Sequence, residues 1–460
     1  MDLMNKNILV IGIAKSGIAA GKLCQRLGAA VTLYDSKDRE ELAAEASLLE
    51  AEGFKLIFKD ILREQWQKQD LIIMSPGVPT DLPFLQEARN QQIPIWGEVE
   101  LAFRYCKIPV IAITGTNGKT TTTTLVGEIF KKYRPYTYVV GNIGIPFSEQ
   151  VLEMDPQGIV IAEASSFQLE TIKTFHPHVS AVLNITPDHL NRHKTLEQYI
   201  EAKEKIFMNQ NSNDFIVLNA DDYHCMMMEE KTKAKPIFFS MEKAIKDGVY
   251  LKEDQIMIHW KENTREICKI NELQILGRHN VENTMAAIAI ALAMNVNIEI
   301  IQEGILSFRG VAHRIEYVLE IDQVSYYNDS KGTNPDAAIQ AINSMNRPIV
   351  LIGGGMDKGS DFTKWIQSFN GKVRHLIVFG ETADQIQRTA KKEGFFSMTR
   401  VKDLVEATKL AHTIATPGDC VLLSPACASW DMFRSYEERG DLFKQVVRNL
   451  KGGENEEVQI

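Results

Sequence analysis

Short β-branched runs recur along the chain, each broken by glycine or a small polar cluster and followed by apolar residues at helical spacing. That alternation is the grammar of an α/β protein built on parallel sheets. The runs at 7–11, 30–33, 55–58 and 71–74 predict strands of a first region, and Ser75-Pro76-Gly77-Val78-Pro79 stops the last of them. A boundary is expected near Trp96-Gly97. Runs at 110–114, 158–161, 179–184 and 215–219 predict a second sheet, followed by a more polar stretch. Runs at 324–327, 348–352, 375–379 and 420–423 predict a third. The apolar run 285–294 is half the length of a membrane span and predicts a buried helix. Three α/β domains are expected: a Rossmann-like 1–97, a central P-loop ATPase-type 98–310 and a Rossmann-like C-terminal 311–460.

A chain of 460 residues with 44% apolar and 24% charged residues has the usage of an ordinary globular protein with several cores. The formal net charge of -9 argues against nucleic acid and anionic membrane as partners, so anionic ligands must meet local cations. The N-terminus enters a strand without a signal-peptide pattern, which predicts a cytoplasmic protein without membrane insertion. The six cysteines show neither C-x-x-C pairing nor zinc spacing and are expected to be reduced thiols in packing positions. The acidic end, 454–460, is expected to fray.

Candidate chemistry gathers after strands, where parallel sheets place helix N-termini and their free amides. The sharpest signal is Thr114-Gly115-Thr116-Asn117-Gly118-Lys119-Thr120-Thr121: a buried strand, a glycine loop for phosphate oxygens, a lysine for the β/γ-phosphates and a hydroxyl for Mg²⁺. It departs from G-x-x-x-x-G-K-[ST] in having Ile113 at the first glycine. Gly12-Ile13-Ala14-Lys15-Ser16-Gly17, with Asp35 ending the next strand, suits a diphosphate or uridine group, and its spacing disfavours a dinucleotide redox cofactor. Glu163 at a strand end is placed to ligate a hard cation, and His189 to complete a second metal site. Lys203, read alone, is a solvated helix lysine. Asn280 and Asn283 lie on one helix face, suited either to a purine edge or to a cap. Arg314, Lys331 and Lys358 are isolated cations beside turn residues, suited to phosphate or carboxylate.

In succession, Thr114 to Thr121, Gly141-Asn142-Ile143-Gly144, Glu163 with Ser165-Ser166-Phe167-Gln168, Asp188-His189, His279-Asn280 with Asn283, His313-Arg314 and Asp329-Ser330-Lys331 resemble the Mur ligase family over nearly the whole chain. The Asp-Asn-Pro-Arg signature of the member that adds the third residue is absent. The resemblance implies a cytoplasmic, monomeric ligase of peptidoglycan precursor synthesis. It would phosphorylate the L-alanine carboxylate of UDP-N-acetylmuramoyl-L-alanine with ATP and let the D-glutamate amine attack the acyl phosphate, releasing ADP and phosphate.

By the same resemblance, Gly115, Thr116, Asn117, Gly118, Lys119, Thr120 and Thr121 hold the ATP phosphates, and Asn280, Asn283, Arg314 and Asp329 hold adenine, phosphate and ribose. Two Mg²⁺ sites are implied: Thr120 with Glu163, and His189 with a carbamylated Lys203. Lys119, His189, Lys203 and Lys331 are the implied catalytic set. Lys15, Ser16, Asp35, Ser36 and Lys37 would meet uridine, and Ser75 and Gly77 its diphosphate. Asn142, Ser165 and Gln168 would face the acceptor substrate, and Thr333, Lys358, Ser429, Trp430 and Tyr436 the amino acid. The rivals are folylpolyglutamate synthase, which lacks such a first domain, a P-loop switch or motor, and a redox enzyme using region one.

Overall fold

The structure, a computed structural model, describes residues 2–357 and 359–452, with the backbone alone at 452. Lys358 and the tail 454–460 lie outside the described residues. The first sheet has β1 (Asn7–Ile11), β2 (Ala30–Asp35), β3 (Lys55–Phe58), β4 (Leu71–Met74) and β5 (Ile95–Gly97), all parallel, in the order β3-β2-β1-β4-β5. Strands β1 and β4 are central, which is why they read as unbroken apolar runs: both faces are covered.

The second sheet has β6 (Val110–Thr114), β7 (Thr137–Gly141), β8 (Ile159–Glu163), β9 (Val179–Val182), β10 (Phe215–Asn219), β11 (Lys235–Ser240), β12 (Gly248–Lys252), β13 (Gln255–Trp260) and β14 (Asn263–Lys269). Their order is β14-β13-β12-β11-β10-β9-β6-β8-β7. It is parallel from β7 to β12 and closes with an antiparallel meander, β12 to β14. The polar stretch expected after 219 therefore holds four strands. Burial alternates along β13, and β12 and β14 carry half-buried or exposed positions, so the apolar run that marks a central strand is lost.

The third sheet has β15 (Glu316–Ile321), β16 (Val324–Asn328), β17 (Ile349–Gly354), β18 (Val373–Phe379), β19 (Met398–Arg400) and β20 (Cys420–Leu423), in the order β15-β16-β20-β17-β18-β19. All its pairs are parallel except β15 with β16. This is the expected three-domain α/β architecture.

The apolar run near 290 is the buried face of the helix Arg278–Ala293. Five of the six free cysteines are buried and Cys106 is half-buried. Among the described residues no helix is long and apolar enough to cross a membrane.

The chain forms two compact units, Met1–Leu273 with His279–Ser307, and Gln274–Arg278 with Phe308–Ile460. The first two sheets share the first unit. One apolar cluster runs from Val10 and Leu33 through Trp96 and Leu101 to Phe175 and Leu218. The joining helix Glu98–Tyr105 buries two carboxylates. Glu100 accepts from the amides of Lys173, Thr174 and Phe175 and pairs with Arg104 at 2.8 Å. Glu98 accepts from the Ser148 amide at 2.6 Å, and burial pushes its carboxyl up.

Candidate functional site

Strand β6 lies between β8 and β9 and delivers the chain into the loop 115–118. Gly115 and Gly118 have φ of +151° and +82°. A Cβ on Gly118 would meet Asn283 Oδ1 at 2.2 Å, so the last loop residue before the helix Lys119–Tyr133 has to be glycine. The strand end opposite braces the loop. The Asn117 amide donates to Asn184 Oδ1 at 2.8 Å, the Thr186 amide donates to Thr116 Oγ1 at 3.0 Å, and Thr116 Oγ1 also meets Tyr199 OH at 3.1 Å. Lys119 Nζ folds back on the carbonyls of Gly115 and Thr116 at 2.9 and 2.8 Å. Thr120 and Thr121 fall in the first helical turn. Such a loop, with its amides at a helix start, is built for phosphate.

Glu163 is the last residue of β8, in register with Ile113 of β6. Asn142 Nδ2 donates to its Oε1 at 2.7 Å and the Asn142 amide to its carbonyl at 2.9 Å. Gly141 permits this approach, since a Cβ there would sit 2.3 Å from that carbonyl. Glu163 Oε2 is buried and has no hydrogen-bond partner. A buried carboxylate oxygen left open is what a Mg²⁺ ligand requires, so the donor set fits the cation implied by the sequence.

Lys203 overturns its solvated appearance. It is 1% exposed, on the helix Leu196–Glu204, and its Nζ donates to Gly115 O at 2.8 Å and Thr114 Oγ1 at 3.3 Å. Burial, reinforced by the Lys119 charge, holds its ammonium well below the ordinary lysine range. Lys203 and Lys119 therefore meet at one carbonyl, that of Gly115. His189 takes a left-handed conformation, φ +52°, before the short helix Leu190–His193, and its ring lies 4.9 Å from Phe167. Its side chain is half in solvent, 3.4 Å from Asp188. Among the described residues no cluster of three or more His, Cys, Asp or Glu side chains is placed for a metal. A cation bound to nucleotide phosphates needs few protein ligands.

At the first sheet, Gly12 turns the chain at φ +95°, and a Cβ on Gly17 would sit 1.9 Å from Gly12 O, so both glycines are obligatory. Asp35 accepts from the Ile13 and Lys37 amides at 2.8 and 3.0 Å, which braces the loop from within. Ser75 Oγ donates to Gly12 O at 3.1 Å and lies against Gly17, and Gly77 is exposed. Ser36 follows the β2 end. Lys15 Nζ reaches Gly144 O at 2.5 Å. Ser165 and Gln168 form a reciprocal cap of a short helix, with the Ser165 amide donating to Gln168 Oε1 at 2.9 Å and the Gln168 amide to Ser165 Oγ at 3.3 Å. Asn283 Nδ2 donates to Asn280 Oδ1 at 3.1 Å, and Asn283 sits against Gly118.

In the second unit, Asp329 follows β16. It is buried, accepts from Ser424 Oγ at 2.7 Å and the Ile315 amide at 3.2 Å, and burial raises its pKa to about 7. Arg314 is exposed on the neighbouring turn and Thr333 is half-buried. Lys331 Nζ lies 5.9 Å from the Tyr436 ring centroid. Ser429 is buried and Trp430 is 63% exposed.

Two residues that sequence reading passed over hold these parts together. Arg439, fully buried, donates to Ser330 Oγ at 2.9 Å, Ser330 O at 2.8 Å, and Cys427 O and Ala428 O at 3.2 Å. It ties the loop bearing Lys331 to the loop bearing Ser429. His193 packs on Phe167 at 5.4 Å and meets Ser166 Oγ at 2.9 Å. In sequence, Arg439 sits in Glu437-Glu438-Arg439-Gly440-Asp441, a run that looks solvated.

Three family models match the chain: the Mur ligase MurD-like N-terminal domain over 6–97, the Mur ligase middle domain over 113–291, and the Mur ligase glutamate ligase domain over 313–427. The chain is 48% identical over 453 residues to the UDP-N-acetylmuramoylalanine--D-glutamate ligase of Alkaliphilus metalliredigens, covering 98% of this chain and 100% of that protein. It is 48% identical over 452 residues to the ligase of the same name from Clostridioides difficile, at the same coverage. Among solved structures, the UDP-N-acetylmuramate-alanine ligase MurC of Thermotoga maritima superposes with a TM-score of 0.58 at 21% identity, over 98% of this chain and 100% of that one. MurF of Acinetobacter baumannii gives 0.57 at 19% identity, over 91% and 90%. These last two likenesses speak for the fold.

Proposed function

This chain belongs to the Mur ligase family, and from that membership we propose how its residues divide the work. It is an ATP-dependent ligase that adds D-glutamate to UDP-N-acetylmuramoyl-L-alanine in peptidoglycan precursor synthesis. We assign 1–97 to the UDP-substrate, 98–310 to ATP and 311–460 to the amino acid. A cytoplasmic monomer is the state proposed.

The observation that carries the residue assignment is the convergence of Lys119, Lys203 and the open Glu163 Oε2 on one strand-loop-helix junction. A carboxylate is a poor electrophile, so the alanyl carboxylate must first take the γ-phosphoryl group of ATP. The loop amides and Lys119 would hold the triphosphate and offset its charge, and the amine of D-glutamate would then attack the acyl carbon and expel phosphate. Thr120 and Glu163 would hold one Mg²⁺, and His189 with Lys203 a second; the cations would supply charge neutralisation between anionic partners. Lys203 suits that role once carbamylated. Its neutral amine would add to CO₂ and lose a proton, giving an anionic oxygen ligand, and burial favours the neutral amine this needs. Asn142 would orient Glu163. Arg314 and Asp329 would meet the nucleotide, and Lys331, Thr333, Lys358, Ser429, Trp430 and Tyr436 the transferred group and the amino acid.

The test is ADP release with UDP-N-acetylmuramoyl-L-alanine and, in turn, D-glutamate, L-glutamate, L-lysine and D-alanyl-D-alanine. Turnover confined to D-glutamate is expected, and absence of that preference overturns the assignment.

A further inference from the structure

A cavity of about 750 Å³ opens within the first unit, between the segment 79–95 and the segment 170–205. Neither Ser75 nor Gly77 lines it. Five cationic side chains line it, Arg89, Lys173, Arg192, Lys194 and Lys205, against three carboxylates, in a protein whose net charge is -9. One of those carboxylates is already engaged, since Arg192 Nη2 donates to Glu170 Oε2 at 2.6 Å. Lys205 Nζ donates at 2.8 Å to the main-chain oxygen of Glu170. His193 is held below its usual value by burial and so is not counted among the cations.

One wall is a single helical face. Gln198, Glu201 and Ala202 lie at i, i+3 and i+4 on the helix Leu196–Glu204, whose other face sends Lys203 to Gly115, and Lys205 follows at its C-cap, where the 3-10 turn Lys205–Phe207 begins. A second wall is Asn191 to Lys194, the turn immediately after His189. Whatever fills the cavity therefore presses on the two segments that carry Lys203 and His189.

We propose that this cavity binds a small phosphate-bearing anion, of nucleotide size or smaller, and that its occupancy changes turnover through the Lys203 helix. The cations favour a multiply charged ligand, and the tetrahedral oxygens of a phosphate can be met from several walls at once.

The experiment is calorimetric titration of pyrophosphate into the full chain, free of divalent cations, with inorganic phosphate and citrate as comparison anions. Lys119→Ala weakens the phosphate loop, and Lys173→Gln combined with Lys194→Gln strips the cavity of two exposed cations. One pyrophosphate site is expected to survive Lys119→Ala and to weaken by about tenfold or more in the double variant. Loss of all binding in Lys119→Ala, unchanged binding in the double variant, or citrate binding as tightly as pyrophosphate would each overturn the site. With ATP saturating and free Mg²⁺ fixed, pyrophosphate should alter kcat in the wild type and leave the double variant unaffected. An unaltered wild-type kcat would overturn the coupling. The calorimetry does not depend on which amino acid the enzyme uses, so it stands apart from the ligase assignment.

Discussion

Lys203 Nζ lies 2.8 Å from the carbonyl oxygen of Gly115, the same carbonyl that Lys119 Nζ meets at 2.9 Å. Two lysines thus share one backbone acceptor in the loop 115–118. Burial first, and then the like charge of Lys119, press Lys203 towards its neutral form. A neutral amine is a nucleophile for CO₂, and an ammonium is not.

Lys203→Ala is expected to lose activity by about 10²-fold or more, and depletion of bicarbonate should slow the wild type. Steady-state rates across a bicarbonate series check both. The protonation state is tested separately. The folded pKa is lowered, so between it and the unfolded value the unfolded chain binds the extra proton, and stability rises with pH. In CO₂-depleted buffer, Lys203→Met should flatten that rise by up to about 1.4 kcal/mol per pH unit, read from urea unfolding between pH 7 and 9.

Glu163→Gln should separate activity from stability. The substituted amide keeps an oxygen for Asn142 Nδ2 and removes a carboxylate whose Oε2 has no partner. The melting temperature is expected to stay within about 2 °C of the wild type or rise. Turnover should fall about 10²-fold and the Mg²⁺ requirement should shift to higher concentration.

Asp329 has a raised folded pKa, about 7, from burial. The folded state then holds a proton that the unfolded state releases near pH 4, so this group's contribution is fully present below about pH 4 and is lost as pH rises through about 7. Asp329→Asn is expected to match the wild type near pH 4 and to exceed its stability by up to about 4 kcal/mol at pH 8. Thermal unfolding of the ligand-free protein at the two pH values decides it, and ATP binding should weaken in the same variant.

Arg439→Met would strip hydrogen bonds from Ser330 O, Cys427 O and Ala428 O, which stay buried. A loss of about 3 kcal/mol or more is expected from those unsatisfied acceptors. Arg439→Lys should restore part of the stability and leave KM for D-glutamate raised, because a single ammonium cannot span both loops. KM for D-glutamate should move more than KM for ATP.

The phosphate loop was legible because its information is local. A buried strand, two glycines, a lysine and hydroxyls stand in consecutive positions, and Gly118 declares a left-handed residue by its identity. The β7 and β14 edges were not legible, since β7 is mostly half-buried and β14 mostly exposed, and neither carries an unbroken apolar run. Glu98 and Glu100 stand in the first turn of the helix Glu98–Tyr105, yet both are buried, and Glu100 takes its hydrogen bonds from residues 173–175. Nothing near position 100 announces those partners.

By itself the chain settled its three α/β regions, its central strands and the glycine loop 115–118 before a helix, because hydrophobic period and glycine conformation are short-range properties. Only the tertiary structure decided that Lys203 and Arg439 are interior cations and that Glu163 keeps one oxygen open. Burial is set by what packs against a residue, and for Lys203 that partner lies 88 positions away, for Arg439 as many as 109. Desolvation acts over that three-dimensional neighbourhood, and it turns residues with the look of surface charges into chemistry.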